Sequence, residues 1–407
     1  MRIALAVGRF EPIGGSERYA LDLAEQFCLA GDQLVILSAG GHAPLPPGAE
    51  RMEFAPLGNF FAASKDYPDG AAALADLSVD VILLVSGVAP WVARLLAQRA
   101  PLVRFVQDHT FFCPGLNKRR KDGSICTSPA PMACVPRALD GGCLDLPRGW
   151  AGARRILGRV RELGQMGSAR HILVASEYMR EELEAAGARP REITVCPYFT
   201  QEEPDPNASL PPDLAEFFKA QAPRPVFLCA ARLVPEKGVE FLLEAMARVP
   251  GCALILAGEG PLLDSLKADA QGHGISDRIL FTGWIAPPAM RAILTHVRAS
   301  IMPSLWAEPF GIVGIEAMAH ARAMIACDVG GVRQWLEDET TGILVPPHDI
   351  PALVQAIGRL TEDPALATRL GQAGQAKVAA EFRAQRHVET LRGVLDRVAG
   401  LNLAPHQ

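Results

Sequence analysis

The sequence lacks an apolar run long enough to cross a membrane. A transmembrane helix needs roughly 18 or more consecutive apolar residues, whereas the longest candidate, VDVILLVSGVAPWVA, is bounded by Asp80 and Pro90. The opening segment MRIALAVGRF also has too few basic residues and too short an apolar stretch for a secretory signal. We therefore predict a cytoplasmic protein.

Several nucleotide and metal motifs are absent as well. The glycine-rich segment PIGGSERYALDLA matches neither GxGxxG nor a P-loop, which removes the main support for nicotinamide or nucleoside-triphosphate chemistry. No Asp-x-Asp pair follows a predicted strand, so we expect that catalysis requires no cofactor and no divalent cation. Aromatic residues make up only 6% of the chain against 49% apolar residues, a composition typical of a soluble α/β protein.

Length and charge give two further constraints. A chain of 407 residues is too long for one compact core and fits two domains. The net charge is only −5, but residues 101–170 carry 12 Lys and Arg against 5 acidic residues. This asymmetry favours a local anionic partner over general nucleic-acid binding. A solvated face with scattered arginines explains the same pattern equally well.

Short apolar runs alternate with amphipathic helical stretches along the whole chain. One series comprises RIALAV, LVILSA, VDVILLV, PLVRFV, HILVAS and ITVCP, and a second comprises PVFLCAA, CALILAG, RILFTG, ASIMPS, AMIACD and GILVP. Continuous apolar strands separated by helices predict parallel sheets that are covered on both faces. The predicted fold class is α/β, with two Rossmann-like parallel-sheet lobes and C-terminal helices.

The boundary between the lobes is predicted from a change in composition. Residues 201–224 are rich in proline and acidic residues and lack a strand pattern, so they are interpreted as a linker. We predict an amino-terminal domain over 1–200, with a basic, cysteine-containing insertion at about 110–150, and a carboxyl-terminal domain over 225–385. A C-terminal helix over 386–407 is expected to pack back on the amino-terminal domain.

Candidate functional residues follow the strands of the second lobe, because ligands bind at the carboxyl ends of parallel strands. Arg232 and Lys237 come after the run LCAA, where two cations suit a diphosphate leaving group. Gly258 and Gly260 lie in the turn GEGP, where small residues let backbone N–H groups approach a ligand. Solubility explains such cations, and a tight turn explains such glycines, nearly as well.

The segment PSLWAEPFGIVGIEAMAHA carries the strongest signal. Glu308 precedes a predicted helix start at Gly311, and Glu316 lies on that helix. A helix N-terminus favours anionic phosphate, while carboxylates accept hydrogen bonds from sugar hydroxyls. Two glutamates within an apolar stretch are hard to explain as core packing.

A second glycine-rich segment lies near the amino terminus. Gly14 and Gly15 directly precede Ser16, the predicted N-cap of a helix. Such a loop can hold phosphate or leave room for an acceptor. A flexible loop before a capped helix is the plainer alternative.

Taken together, GGSE, RLVPEKG, GEGP, EPFGIVGIE and DVGGVRQWLEDETTGILVPPHD resemble, in order and spacing, the family 4 glycosyltransferases of the GT-B fold. The likeness covers most of the chain and is densest in the second lobe. It implies two lobes that face across a cleft and a retaining hexosyltransferase. The nucleoside-diphosphate sugar would bind mainly to the carboxyl-terminal lobe, and a glycan or lipid-linked acceptor to the amino-terminal lobe. Polysaccharide or lipopolysaccharide biosynthesis is the expected setting.

The resemblance also assigns roles by position. Arg232 and Lys237 match the diphosphate-binding pair, Glu316 matches the glutamate that holds the ribose hydroxyls, and Glu308 matches the glutamate near the donor sugar. Contacts of backbone or loop with the donor are implied for Gly311, Ile312, Val313, Gly14 and Gly15. The implied mechanism is same-face attack, in which the departing phosphate accepts the acceptor's proton while the two cations hold its charge.

The sequence departs from the family pattern at one catalytic position. A His-Asp pair commonly precedes the CP dipeptide, but here Gln107 and Asp108 stand there and His109 follows. Either His109 or Gln107 makes the polar contact at the reaction centre, and His109 is named as the catalytic candidate. A lone histidine at a strand end is more often structural.

The basic insertion holds four of the nine cysteines, namely Cys113, Cys126, Cys134 and Cys143. In a cytoplasmic protein a metal is a better expectation than a disulfide, and some members of the family carry cysteines in this loop. The lack of a CxxC pair weakens a zinc site. A structural zinc on these four residues is the candidate, and free thiols are the default.

A basic helical stretch follows, GWAGARRILGRVRELGQ, with Trp150 at its start. Arginines with one aromatic residue suit peripheral contact with an anionic membrane, such as the inner face of the cell membrane. A helix that simply covers the first lobe explains the stretch equally well.

Two alternatives to a transferase stay open at this point. A GT-B-fold epimerase would share the two lobes and the diphosphate site, although EPFGIVGIE with RLVPEKG favours transfer. A nonenzymatic nucleotide-sugar-binding protein would be favoured by the loss of a site residue, but Arg232, Lys237, Glu308 and Glu316 are all present.

Overall fold

A computed structural model describes residues 1–12, 14–59, 63–129, 131–164, 168–188, 193–201, 203–205 and 208–400. Within these ranges the chain divides into two compact units. The first runs from Met1 to Tyr198 and includes the C-terminal segment from Ala384, and the second runs from Phe199 to Arg383. Each unit contains one parallel sheet, so the predicted α/β fold is confirmed.

The first unit is built on a seven-stranded sheet. Its strands are β1 (Arg2–Val7), β2 (Gln33–Ser38), β3 (Glu50–Glu53), β4 (Val81–Leu84), β5 (Leu102–Val106), β6 (His171–Val174) and β7 (Ile193–Val195). They lie in the order β3-β2-β1-β4-β5-β6-β7. Its helices begin with α1 (Gly15–Leu29), α2 (Pro90–Ala97), α3 (Val135–Asp140), α4 (Trp150–Gly164) and α5 (Glu177–Ala185). The inner strands are almost wholly buried, as expected for apolar strands covered on both faces.

The second unit repeats this design with six strands. They are β8 (Val226–Ala230), β9 (Ala253–Ala257), β10 (Ile279–Gly283), β11 (Ala299–Met302), β12 (Ala323–Cys327) and β13 (Gly342–Val345), in the order β10-β9-β8-β11-β12-β13. Its helices are α6 (Pro212–Gln221), α7 (Val239–Ala247), α8 (Leu263–Gly272), α9 (Pro287–His296), α10 (Ile312–Ala319), α11 (Ile350–Glu362) and α12 (Pro364–Glu381).

The last helix, α13 (Ala384–Ala399), belongs to the first unit. Its His387 is buried and lies 2.8 Å, through Nε2, from the hydroxyl of Tyr19 on α1. Its Nδ1 atom lies 2.7 Å from the carbonyl oxygen of Pro197. These contacts fasten α13 to α1 and to the segment that follows β7.

The segment interpreted as a linker contains regular structure. Helix α6 lies within 201–224, and its Leu214 and Gln221 are buried. The Gln221 side-chain amide donates a hydrogen bond to the carbonyl oxygen of Asp277, 2.8 Å away. Pro212 occupies the first position of α6, where proline is tolerated. The proline-rich and acidic composition of the segment therefore does not exclude a helix there.

Helices of the described ranges are all too short or too polar to cross a membrane.

Candidate active site

The second sheet reverses its strand order between β8 and β11. Strand β9, which follows β8 in the chain, lies on one side of β8, whereas β11 lies on the other side. Ligands of open parallel sheets bind at the carboxyl ends of the strands where the order reverses. The loops that follow β8 and β11 are therefore the first place to look for a site in this unit, and they carry Arg232, Lys237 and Glu308.

An ion pair joins these two loops. Lys237 Nζ lies 2.8 Å from Glu308 Oε2, and the two side chains are only 16% and 10% exposed. The same carboxylate oxygen accepts a hydrogen bond of 2.7 Å from the indole Nε1 of Trp306. Lys237 Nζ also lies 5.3 Å from the centre of the Trp306 ring, a cation–π distance. Both predicted charges are thus held in fixed positions at the carboxyl edge of the sheet.

Close backbone contact explains why glycine follows Lys237. Gly238 has a φ of +65° and ends the short 3-10 turn Pro235–Lys237. A Cβ atom at this position would collide with the carbonyl oxygen of Pro303, just after β11. Glycine therefore allows the two loops to approach closely enough for the ion pair to form.

Arg232 behaves differently from Lys237. Its side chain is 71% exposed, and its nearest carboxylate oxygen, from Glu236, is 3.9 Å away. At that distance and exposure the pairing is weak. The Arg232 guanidinium is thus accessible to an anion arriving from solvent, whereas the Lys237 ammonium is already positioned within the fold.

Gly258 and Gly260 bring the loop after β9 against the loop after β8. A Cβ atom on Gly258 would collide with the carbonyl oxygen of Ala231, and one on Gly260 with that of Leu233. The backbone also pairs there, since Leu233 N–H donates to the carbonyl oxygen of Glu259 over 2.8 Å. The structure places both glycines beside the Arg232 loop, and packing accounts for them without a ligand.

Helix α10 begins at the predicted position. Gly311 is its N-cap, has a φ of +92° and offers no side chain to the first N–H groups. Ile312 and Val313 form the first turn, in which backbone N–H groups lack partners within the helix. Glu316 is half-buried one turn further along the helix. The α10 N-terminus therefore combines a favourable field for an anion with a nearby carboxylate.

A supporting layer behind Glu308 is a feature that the sequence reasoning missed. The Glu308 carbonyl oxygen accepts a hydrogen bond of 2.7 Å from Gly331 N–H, and Gly330 packs so closely that any Cβ would collide with that oxygen. Trp335 is fully buried and donates from Nε1 to the Phe310 carbonyl oxygen over 2.7 Å. The segment VGGVRQW thus fixes the loop that carries Glu308.

In the first unit, Gly14 and Gly15 are exposed at the start of α1. Gly14 is the N-cap, and its carbonyl oxygen accepts from Arg18 N–H over 2.9 Å. The helix therefore begins before Ser16, the residue expected to cap it. The neighbouring Ile13 lies outside the described residues.

His109 is fully buried rather than accessible at the strand end. Its Nε2 lies 3.0 Å from the hydroxyl of Tyr178 on α5. Burial lowers its pKa to about 3, with a further contribution from the Lys118 charge. Lys118 is itself buried and paired with Glu182 of α5. These contacts support a structural role for His109, in which the insertion is tied to α5.

A structural zinc on the four cysteines of the insertion is not shown, since no group of three or more His, Cys, Asp or Glu side chains in the described ranges is placed to hold an ion. Cys113 and Cys134 belong to the apolar core of the first unit. Burial raises the pKa of Cys113 to about 12 and that of Cys134 to about 11, so both are protonated thiols at neutral pH. Cys134 also interacts electrostatically with Cys126 and Cys143, and the zinc site stays a prediction.

The arrangement in the second unit suits one kind of chemistry. Lys237, Arg232 and the α10 N-terminus favour negative charge, whereas Glu308 and Glu316 accept hydrogen bonds from hydroxyl groups. A ligand with adjoining phosphate and polyhydroxyl parts would satisfy both sets of groups.

Two protein-family models match the chain. The model described as glycosyl transferases group 1 matches residues 213–377. The model described as glycosyl transferase 4-like domain matches residues 14–198. Together the two matches cover most of the chain, in the order in which these domains were expected.

Curated relatives show similarity over part of their length. Alpha-D-kanosaminyltransferase of Streptomyces kanamyceticus is 33% identical over 175 residues, which are 42% of this chain and 45% of that protein. Lipopolysaccharide core biosynthesis glycosyltransferase LpsE of Rhizobium meliloti is 32% identical over 161 residues, 40% of this chain and 46% of that protein. The chain thus spans less than half the length of these relatives.

Solved structures show similarity over nearly the whole chain. Sucrose-phosphate synthase from Thermosynechococcus elongatus has a TM-score of 0.76 at 23% identity, covering 99% of this chain and all of that one. HepE of Anabaena, in complex with UDP and glucose, has a TM-score of 0.72 at 18% identity, covering 98% of this chain and all of that one. These likenesses show the fold.

Proposed function

Because this chain belongs to the family 4 group 1 glycosyltransferases, we propose that it moves a hexose from a nucleoside-diphosphate sugar to a hydroxyl of an acceptor with retention of anomeric configuration. The observation that carries the proposal is the Lys237–Glu308 pair at the reversal point of the second sheet. It sets a cation for the diphosphate beside a carboxylate for the sugar. The comparisons do not favour the epimerase or the nonenzymatic alternative.

In the proposed complex, Arg232, Lys237 and the backbone N–H groups of Ile312 and Val313 bind the diphosphate. These groups stabilise the charge that develops on the leaving diphosphate, an effect worth several kcal/mol when the donors are preorganised. Glu316 accepts hydrogen bonds from ribose hydroxyls, and Glu308 accepts them from the sugar. Gly258 and Gly260 hold the neighbouring loop in place.

The transfer step needs no covalent enzyme intermediate. The acceptor oxygen forms a bond to the anomeric carbon as the bond from that carbon to the phosphate oxygen breaks, on the same face of the sugar. The departing phosphate oxygen takes the proton from the acceptor hydroxyl. In this step Glu308 orients the sugar, and its Oε2 atom is itself held by hydrogen bonds from Lys237 and Trp306.

A donor panel tests the proposal. UDP and GDP sugars are screened for a rise in Tm, since a ligand that binds only the folded state stabilises it by mass action. The donor that binds is then incubated with glycan and lipid-linked acceptors, and the anomeric configuration of the product is read by proton NMR. The proposal predicts nucleotide release and a retained configuration. An inverted product would exclude the same-face step, and a panel without any stabilising donor would exclude the donor site.

The proposed acceptor is a glycan or a lipid-linked glycan, as in polysaccharide or lipopolysaccharide biosynthesis, and we place the enzyme in the cytoplasm at the surface of an anionic membrane. The support is a concentration of exposed apolar side chains in the insertion and the helix that follows it. Of the eight large apolar side chains that are exposed within the described ranges, six lie between residues 132 and 157, namely Met132, Val135, Leu139, Leu144, Trp150 and Leu157.

Helix α4 presents one stripe of these side chains to solvent. Trp150, Arg154, Leu157 and Arg161 follow at helical spacing and are all exposed, with Trp150 at 92%. Helix α3 packs on the buried side of α4, where Gly152 leaves room for Ala138. Alternating apolar and arginine side chains suit an interfacial helix on anionic lipid.

Vesicle sedimentation tests the membrane contact. Binding to vesicles containing anionic lipid is expected at low salt and should weaken as salt rises. The double variant Trp150→Ala/Leu157→Ala should lose most of it. Trp284→Ala serves as the matched control, because Trp284 is 66% exposed but belongs to the second unit. Equal sedimentation of the wild type, the double variant and the Trp284→Ala control would contradict this assignment.

A further inference from the structure

A cavity of about 510 Å³ opens in the second unit at the edge of the sheet away from the Lys237–Glu308 pair. Val226, Arg298 and Arg322 line it, and these residues start or directly precede β8, β11 and β12. The cavity therefore lies at the amino ends of strands whose carboxyl ends carry the proposed donor site. Its other walls come from the segment after α6, the end of α9 and the first turns of α12.

Three arginines line this cavity, namely Arg224, Arg298 and Arg322. Its lining in the described part of the chain contains neither Asp nor Glu. The nearest carboxylate in an ion pair with any of the three arginines is Asp277, 4.0 Å from Arg224. The cavity thus collects three positive charges with very little compensation.

The two inner arginines are held by backbone carbonyl groups. Arg298 Nη1 donates to Leu360 O over 3.2 Å. Arg322 donates from Nε to His320 O over 3.0 Å and from Nη1 to Val297 O over 3.1 Å. Burial lowers the pKa of Arg322, the direction expected for a cation without a nearby anion. Charges removed from water are ordinarily paired, so this fixed group of donors favours an anionic ligand.

The walls beside the arginines are apolar. Phe218, Val297, Pro364 and Ala367 contribute them, and the Phe218 ring lies 5.6 Å from the ring of His296. The volume falls within the range of small-ligand pockets, roughly 300–1,000 Å³. Planar guanidinium groups recognise phosphate oxygens through paired hydrogen bonds. An organic group attached to the phosphate would pack against the Phe218 side.

We propose that this cavity binds a small organic phosphate monoester, with the phosphate on Arg224, Arg298 and Arg322 and the organic part against Phe218. The site is separate from the proposed donor site, because it lies at the opposite ends of the strands. Ligand binding here does not require the glycosyltransferase mechanism to be correct.

Calorimetric titration with phenyl phosphate, at constant ionic strength, tests the site. Arg298→Gln should weaken binding by about tenfold or more, since charge-assisted hydrogen bonds to phosphate are lost. Arg232→Gln, which alters only the proposed donor site, should leave the affinity within about twofold. Inorganic phosphate should bind more weakly than phenyl phosphate, because it cannot use the apolar wall.

A charge-only variant guards against a folding defect in the arginine variant. Gln372 lines the cavity and is exposed on α12, so Gln372→Glu adds a negative charge without changing the shape of the side chain. This variant should weaken the binding of phenyl phosphate about threefold to fivefold. The matched control is Gln271→Glu on α8, an exposed position outside the cavity lining, which should bind phenyl phosphate normally. Affinity that falls with Arg232→Gln and not with Gln372→Glu, or no measurable binding to the wild type, overturns the proposal.

Discussion

Lys237 and Glu308 are 71 positions apart in the sequence, yet their charged atoms lie 2.8 Å apart at the carboxyl edge of the second sheet. The pair joins the loop after β8 to the loop after β11, and Trp306 holds the same carboxylate oxygen. Both charged groups are therefore held in place within the fold. Preorganised charges of this kind stabilise a transition state without reorganisation at the moment of reaction.

Removing the Lys237 charge should slow transfer strongly. Lys237→Gln is expected to lower kcat by about 10²- to 10³-fold, because one preorganised cation no longer faces the leaving diphosphate. It also leaves the Glu308 carboxylate without its ion-pair partner, so Tm should fall. Nucleotide release at saturating donor measures the first effect. Arg248→Gln, which breaks only a surface pair with Glu244, is the control and should keep the wild-type rate. Unchanged turnover in Lys237→Gln would contradict the assignment.

Glu316 should matter for donor affinity more than for folding. The Glu316 side chain is half-buried on α10. Glu316→Ala should weaken donor binding by at least tenfold, because the ribose hydroxyls lose their acceptor, while Tm changes little. Binding is followed by titration calorimetry with the donor that stabilises the wild type. Glu362→Ala, at the end of α11, is a suitable control. Wild-type donor affinity in Glu316→Ala would place the ribose elsewhere.

The support behind the active-site loop can be tested through stability. A Cβ atom on Gly314 of α10 would collide with the ring of Trp335, so Gly314→Ala should lower the free energy of unfolding by about 1–3 kcal/mol. Gly358, inside α11, has open space around it. Gly358→Ala should therefore be neutral or stabilising by up to about 1 kcal/mol, through helix propensity alone. Calorimetric unfolding compares the two, and equal effects would show that Trp335 can move aside at little cost.

Stability should fall as the pH drops below about 6.5, the ordinary histidine pKa. Burial lowers the pKa of His387 to about 4 and that of His109 to about 3. Both are neutral in the folded state, whereas the unfolded chain binds a proton at each between pH 6.5 and these values. Within this window each histidine therefore lowers the free energy of unfolding by up to about 1.4 kcal/mol for every unit by which the pH falls. His387→Gln should flatten the profile of Tm between pH 6.5 and 4.5, and an identical slope in this variant would rule out His387 as a source.

Much of the fold could be predicted because its strands are continuous apolar runs. RIALAV became β1 over Arg2–Val7, and each of the other eleven runs coincides largely with a strand. Strand β3 (Glu50–Glu53) was missed, since ERME at the sheet edge has no apolar pattern. Helix α6 was missed because proline and acidic residues surround it.

Some features of the candidate site could be predicted from the sequence and others could not. Motif spacing located Lys237, Glu308 and the start of α10, because glycine and charge at strand ends leave a local signal. Long-range contacts leave none: the Gly331 N–H bond to the Glu308 carbonyl oxygen and the ring of Trp335 against Gly314 depend on the folded chain. The burial of His109 likewise leaves no local signal, because it depends on the folded insertion and on Tyr178 of α5.

A crystal structure of the protein bound to UDP or GDP, whichever raises Tm more, shows directly where the diphosphate binds. We expect diphosphate oxygens within hydrogen-bonding distance of Lys237 Nζ and of the Ile312 and Val313 N–H groups, with the ribose hydroxyls on Glu316. A well-ordered nucleotide whose diphosphate contacts neither Lys237 nor the start of α10 would contradict that expectation.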